Sequence, residues 1–154
     1  MLFALVLVGG IMASQFSISA LPEPGKTETV IATKAKHFLV RRASHGGVPT
    51  AMTQESIEEG DKLFGTECSE CHGNSGRKPT DAGRWMYPRA AGLGSVEAQM
   101  YSDQELFWIV KNGIRLSGMP AFGRVESDEH MWDLVHFLRT IPTKENPKDE
   151  ETTH

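Results

Sequence analysis

The twenty residues that follow Met1 form the longest apolar stretch of the chain. No charged residue occurs from Leu2 to Leu21, and residues 2–13 are almost wholly apolar. At about 1.5 Å per residue, a helix of this length spans roughly 30 Å, the thickness of a bilayer's hydrocarbon core. We therefore predict a membrane anchor, or an uncleaved signal, over residues 1–21. A cleaved secretory signal peptide and a buried helix remain alternatives. No Lys or Arg precedes the apolar stretch, which fits neither an anchor nor a signal peptide well.

Residues 22–49 follow with a second helical pattern, which predicts a basic amphipathic helix and a linker. Apolar side chains recur at helical spacing over residues 27–42. Basic side chains lie elsewhere on the same helix, at Lys34, Arg41 and Arg42. Such a helix either lies on lipid headgroups or packs on the globular domain or a partner subunit. The predicted apolar face consists of Val30, Ile31, Ala35, Phe38 and Leu39.

Residues 50–142 carry the remaining helical periodicity and predict one all-α domain. No strand pattern of useful length occurs there, and residues 143–154 form a polar, acidic tail. Serine, glycine and proline mark the helix ends in the positions that capping chemistry favours. The predicted boundaries are residues 54–66 for one helix, a Ser102–Glu105 capping box and an Asn112-Gly113 end for the next, and Ser127 and Pro142 for the last.

Charge and cysteine content narrow the function classes. The 154 residues include 16 basic and 20 acidic side chains, and this net charge of −4 argues against a nucleic-acid-binding protein. Two cysteines are too few for a disulfide scaffold, so packing or a cofactor must hold the core. Residues 1–49 carry a net charge of +3 and residues 50–154 carry −7, which favours different surroundings for the two parts.

Both cysteines lie in the pentapeptide Cys68-Ser69-Glu70-Cys71-His72, which has the C-x-x-C-H pattern of a c-type haem attachment site. Two thiols three positions apart on one helical turn can form thioether bonds to the two haem vinyl groups. The adjacent His72 is then the proximal iron ligand. A dithiol redox motif, a structural zinc site and a disulfide are the alternatives. They are less favoured because no βαβ pattern or further paired ligands accompany the motif.

A second axial ligand is predicted from the Gly118-Met119-Pro120 loop. Glycine lets the backbone approach a cofactor, proline stiffens the loop, and the Met119 thioether is a neutral ligand that raises the reduction potential. His-Met ligation fills all six positions on the iron, which leaves none for a substrate. Met86 and Met100 remain alternatives for this role, and methionine as ordinary core filling is the general alternative.

The sequence from residue 54 to residue 141 resembles the single-haem class I c-type cytochromes of the membrane-anchored bacterial type. Besides the haem motif, Gly60 and Phe64 in the first helix and Phe137 in the last match the family pattern. The resemblance implies the cytochrome c fold, in which three principal helices surround one covalently attached haem c. The predicted N-terminal membrane helix adds to this all-α domain. A glycine at a helix crossing and an aromatic pair beside it make physical sense together.

Two further sets of cofactor-binding residues are predicted, the first from the resemblance and the second from the residue types of one stretch of chain. Family members usually place a proline carbonyl behind the proximal histidine, and Pro88 is the best match here, with Pro79 as the alternative. Hydrogen-bond donors to the haem propionates are predicted from the same stretch of chain, which is rich in basic and aromatic side chains. The predicted donors are Arg84, Trp85, Tyr87 and Arg89.

The function predicted from these features is one-electron transfer without a reaction of the protein's own. The chain is expected to pass electrons between redox proteins of a respiratory or photosynthetic membrane chain, alone or as a subunit of a larger complex. We expect the haem domain to face the periplasm at the bacterial cytoplasmic membrane, with membrane contacts through residues 1–21 and, in one interpretation, 27–42. The alternative is a haem enzyme or gas sensor with a labile sixth ligand.

Overall fold

The computed structural model describes residues 19–143. Most of the predicted anchor and of the polar tail therefore lies outside the described residues. The described part is helical and contains no strand, which confirms the all-α prediction. Its helices are α1 (Lys26–Ala43), α2 (Gln54–Leu63), α3 (Ser69–His72), α4 (Asp81–Trp85), α5 (Val96–Gln99), α6 (Asp103–Asn112) and α7 (Asp128–Thr140), with a 3-10 turn at Phe122–Arg124.

From residue 19 to residue 143, no helix combines the length and the apolar character that a membrane span requires.

Helix α2 crosses α7 at Gly60, as the resemblance implied. A Cβ atom on Gly60 would lie 2.1 Å from the Asp133 carbonyl oxygen, so only a hydrogen atom fits between the two helices. Beside this crossing, the rings of Phe64 and Phe137 lie with their centroids 5.2 Å apart. Phe64 is almost fully buried and belongs to the same core as Met131 and Val135 of α7. The crossing therefore fixes the path of the chain that leads to the cysteines.

The helical path that begins with α2 extends further than predicted. Phe64–Cys68 continues it as a π-helical turn, and α3 carries it on to His72, whereas the sequence predicted an end at residue 66. The Ser69 N–H donates to the Phe64 carbonyl in this wider turn. Gly73, with φ of 78°, then ends the helix in a conformation that glycine adopts without strain. Both cysteines and His72 consequently lie on continuous helical backbone.

The predicted helix ends are confirmed where side chains cap them. At the start of α6, the Ser102 N–H donates to Glu105 Oε2 at 2.7 Å, and the Glu105 N–H donates to Ser102 Oγ at 3.3 Å. Gly113 ends this helix with φ of 65°. Ser127 caps α7 by accepting the His130 N–H at 3.1 Å. Each cap satisfies a backbone group that the first or last helical turn leaves without a partner.

Helix α1 packs on the domain formed by residues 50–142, but its predicted apolar face is not the face that it buries. Val40 is the buried apolar side chain of α1, and it joins the core beside α6. Ile31 and Phe38 on the predicted face are 63% and 64% exposed. Packing of the predicted apolar face on the domain is therefore not observed, and its contact with headgroups or with a partner subunit stays a prediction. The other face of α1 is left open to solvent.

Candidate haem-binding site

An open cavity lies between α3, α6 and two further stretches of chain, residues 86–101 and 114–122. It has a volume of about 1190 Å³ including its mouth. Both cysteines, His72 and Met119 line it, so the structure brings together four of the residues predicted from separate parts of the chain. Its walls are mostly apolar, as is usual for cofactor pockets. The apolar wall residues include Leu93, Leu106, Ile109, Val110, Ile114 and Phe122.

The two cysteines are half-buried at the end of the π-helical turn and the start of α3. Burial, and then the negative charge of Glu67 and the neighbouring Cys71, raise the pKa of Cys68 to about 12. This thiol therefore stays protonated at neutral pH, whereas a reactive dithiol requires a lowered pKa. Residues 19–143 also contain no group of three or more His, Cys, Asp or Glu side chains suited to hold a metal ion. The raised pKa of Cys68 thus argues against the dithiol alternative.

His72 is held in one orientation by a backbone carbonyl. Its Nδ1 donates to the Ala91 carbonyl oxygen at 2.8 Å, which fixes the hydrogen on Nδ1 and leaves the Nε2 lone pair available to a metal. Burial lowers the pKa of His72, and the hydrogen bond to Ala91 partly opposes this shift. The ring is therefore neutral at pH 7 and suited to be an axial ligand.

The carbonyl behind His72 belongs to Ala91, which corrects the prediction of Pro88. Two backbone hydrogen bonds flank Ala91 and determine where its carbonyl points. The Ala90 N–H donates to the Gly83 carbonyl at 2.9 Å, and the Leu93 N–H donates to the Gly76 carbonyl at 2.6 Å. Pro88 lies just before this anchored stretch and lines the cavity instead. A carbonyl of any residue can accept from His72, so the role does not require proline.

The loop that carries Met119 is braced by short-range hydrogen bonds. The Met119 N–H donates to Ser117 Oγ at 3.2 Å, and its carbonyl accepts from the Ile114 N–H at 3.3 Å. These bonds hold the backbone and leave the side chain on the cavity wall.

Met86 lies on the same cavity wall and is the structural rival of Met119. Its sulfur packs against Gly118, where a Cβ atom would lie only 2.5 Å from it. Met100, the third candidate, is 73% exposed and is not among the described residues that line the cavity. The structure therefore reduces three candidate thioether ligands to two.

The four predicted propionate donors are placed differently from one another. Arg84 forms an ion pair with Asp81, Trp85 is 77% exposed, and neither is among the described cavity-lining residues. The Tyr87 hydroxyl donates to Glu28 of α1 at 2.5 Å. Arg89 lines the cavity and forms an ion pair with Glu23 at 2.6 Å. Of the four donors, Arg89 is thus the one that the structure brings to the cavity.

Tyr101 is a cavity residue that sequence reasoning missed. Its hydroxyl is buried, and within the described part of the chain it has no hydrogen-bond partner. Burial, together with the charges of Glu97 and Glu105, raises the pKa of Tyr101 to about 12, so the hydroxyl remains a donor. A buried donor without a partner is costly, and an acceptor on a cavity-filling group would satisfy it. Its position next to the α6 capping box gave no signal of this role.

The donor set as a whole fits haem c. It combines two thiols and an imidazole on one helical turn, a thioether on a separate loop, apolar walls, and a buried hydroxyl that lacks an acceptor. The family model for cytochrome C oxidase, cbb3-type, subunit III matches residues 55–138, more than half of the chain. The chain belongs to this family of c-type cytochromes. Membership implies a haem c cofactor and supports haem-based electron transfer.

Among the solved structures that match is a chain of the reducing HAO-like protein complex of Kuenenia stuttgartiensis, with 23% identity and a TM-score of 0.46. The match covers 62% of this cytochrome and 48% of that chain, so the cytochrome spans about half the length of the solved chain. No curated protein matches the sequence significantly.

Proposed function

We propose that this chain is a one-electron carrier with a single haem c, attached through Cys68 and Cys71 and ligated by His72 and Met119. The observation that carries the proposal is the shared cavity. It places the haem motif and a thioether from a distant loop around one apolar space. When bound there, haem c supplies an iron centre that gains and loses one electron.

The protein's own residues would hold the haem iron in place and exclude water from it. Ala91 fixes the tautomer of His72 and increases the basicity of Nε2 as a ligand. The apolar walls from α6 exclude water, which favours an iron site with little solvent rearrangement on electron transfer. A Met119 ligand would complete the coordination, so that no position stays open for oxygen or substrate. These roles support a carrier more than a haem enzyme or gas sensor.

A visible spectrum of the purified holoprotein tests this proposal. We expect a sharp α-band on reduction, a weak sulfur-to-iron band at long wavelength on oxidation, and haem that stays with the polypeptide under denaturing conditions. Carbon monoxide should leave the reduced spectrum unchanged, because both axial positions are filled. A spectrum that changes with carbon monoxide would instead favour the enzyme or sensor. A protein purified without haem after expression with a cytochrome c maturation system would contradict the proposal altogether.

We further propose that the cytochrome works at the periplasmic face of the bacterial cytoplasmic membrane, between a donor and an acceptor redox protein. The family name describes a subunit of an oxidase, which supports a place within a larger membrane complex. The uncharged stretch over residues 1–21 supports an anchor there. The exposed apolar side chains of α1, flanked by Lys34 and Arg42, support contact with anionic headgroups.

Vesicle flotation tests the contribution of α1 separately from that of the anchor. A chain that starts at Pro22 is expected to float with anionic vesicles at low salt and to be released at high salt. Ile31→Glu with Phe38→Glu should reduce this binding at least tenfold, since burying each apolar side chain is worth about 1.5–3 kcal/mol. Val48→Glu with Val125→Glu is the matched control, because both valines are exposed outside α1. Equal losses in the two double variants would contradict a specific role for α1.

A further inference from the structure

The face of α1 that does pack on the domain reaches the mouth of the haem cavity. Lys36 lines this cavity, although it lies well before the residues that match the family model. Its Nζ donates to Glu97 Oε1 at 3.0 Å, and Glu97 is itself a cavity residue. The neighbouring His37 stacks on Tyr101, with ring centroids 4.2 Å apart and planes 5° from parallel. Two contacts thus connect one turn of α1 to the cavity wall.

The lysine, arginine and glutamate charges that line the cavity cancel before any cofactor binds. Lys36 and Arg89 are the two lysine or arginine side chains among the described cavity-lining residues, and Glu67 and Glu97 oppose them. Haem c carries two carboxylates, so its binding would add negative charge to a site whose cations are already paired. Arg89 is half-exposed and pairs with Glu23, outside the cavity-lining residues. Lys36 pairs with Glu97, which is itself a cavity-lining residue. The side chain of Lys36 is less exposed than that of Arg89.

We propose that α1 is part of the cofactor site, and that Lys36 supplies the positive charge that balances the haem carboxylates. This inference rests on the proposed function, since it requires bound haem c. Glu97 orients the ammonium from one side, and the buried hydroxyl of Tyr101, held under His37, provides a second donor in the same cavity. The N-terminal segment then helps to set the reduction potential, besides any role in anchoring the chain.

The sign of the change in reduction potential distinguishes this role from a purely structural one. A positive charge near the iron favours the reduced state, so Lys36→Gln should lower the potential of the holoprotein. Glu97→Gln removes a negative charge and should raise it. If the Lys36–Glu97 pair served only to fasten α1, both substitutions would break the same contact and shift the potential in the same direction. Lys36→Arg keeps the charge and is expected to restore the wild-type value.

The experiment is an equilibrium redox titration of the full-length holoproteins at pH 7, at low and at high salt. Lys34→Gln is the matched control, because Lys34 is exposed on the same helix and is not among the cavity-lining residues. We expect the Lys36→Gln shift to be several times the Lys34→Gln shift and to shrink as salt rises. Equal shifts for these two variants, or shifts of the same sign for Lys36→Gln and Glu97→Gln, would overturn the inference. If the reduced wild-type protein showed no haem α-band at all, the proposed function itself would be refuted.

Discussion

Met119→Ala should remove the weak long-wavelength absorption band of the oxidised holoprotein and lower its reduction potential. The band comes from sulfur-to-iron charge transfer and requires a thioether ligand. The neutral thioether also favours ferrous iron, so its loss lowers the potential. Axial ligands set haem potentials over a range of about 0.8 V, so the change should exceed that of any charge substitution at the cavity mouth. Absorption spectroscopy and redox titration of the same sample measure both effects.

Met86→Ala is the comparison that distinguishes Met119 from Met86 as the thioether ligand. Met86 lines the same cavity and packs against Gly118, so it is near enough to be the ligand in place of Met119. We expect Met86→Ala to keep the sulfur-to-iron band, with a modest loss of stability from the space left beside Gly118. Met100→Ala controls for methionine removal at an exposed position. A band that persists in Met119→Ala and disappears in Met86→Ala would assign the ligand to Met86.

Sequence reasoning predicted correctly the features that depend on a single residue with a specific local role, such as a helix cap or a glycine at a close helix crossing. Ser102 with Glu105, and Gly113 after α6, are capping signals that act within a few residues. The crossing of Gly60 by the helix of Phe137 was implied by the family resemblance, and physical reasoning agrees with it because a glycine permits two helices to approach closely. Local capping chemistry and steric exclusion do not depend on how distant loops are arranged.

The features that sequence reasoning missed depend on contacts between residues that are far apart in the chain. The carbonyl behind His72 is set by hydrogen bonds that the stretch around Ala91 donates to the Gly83 and Gly76 carbonyls, and no local pattern encodes these bonds. For the same reason, the sequence could not show that Tyr101 buries a hydroxyl that has no partner within the described residues.

Helix α1 shows a different limit of sequence reasoning. Its periodicity correctly predicted a helix over almost the observed residues, but the strongest apolar stripe is the exposed one. The buried stripe runs through Val40 and the amphipathic side chains of Lys36 and His37. Long basic side chains can bury their stems while their charged ends bind acidic partners, so hydrophobicity alone underestimates such a face. The cavity-lining role of Lys36 was hidden for this reason.

Gly60→Ala should destabilise the holoprotein by about 3 kcal/mol, the upper part of the usual cost of overpacking. The added methyl group would lie 2.1 Å from the Asp133 carbonyl oxygen and 2.9 Å from Phe137 Cβ. Because the nearest atom belongs to the backbone of α7, no side-chain rotation can relieve the clash, and the two helices must separate. Separation would loosen the Phe64–Phe137 contact and the helical path that leads to the haem motif. Denaturant unfolding, followed by haem absorbance and by helical circular dichroism, measures this loss.

Gly65→Ala is the matched control for Gly60→Ala. Both glycines lie on the same helical path, but no atom comes within 4 Å of a Cβ atom built on Gly65. Alanine there removes the conformational freedom of glycine without a clash, and we expect a gain of about 0.5–1 kcal/mol. The two substitutions add the same methyl group and should move the unfolding midpoint in opposite directions. Equal midpoints would show that α2 and α7 can move apart at little cost, and that the crossing does not fix the haem motif in place.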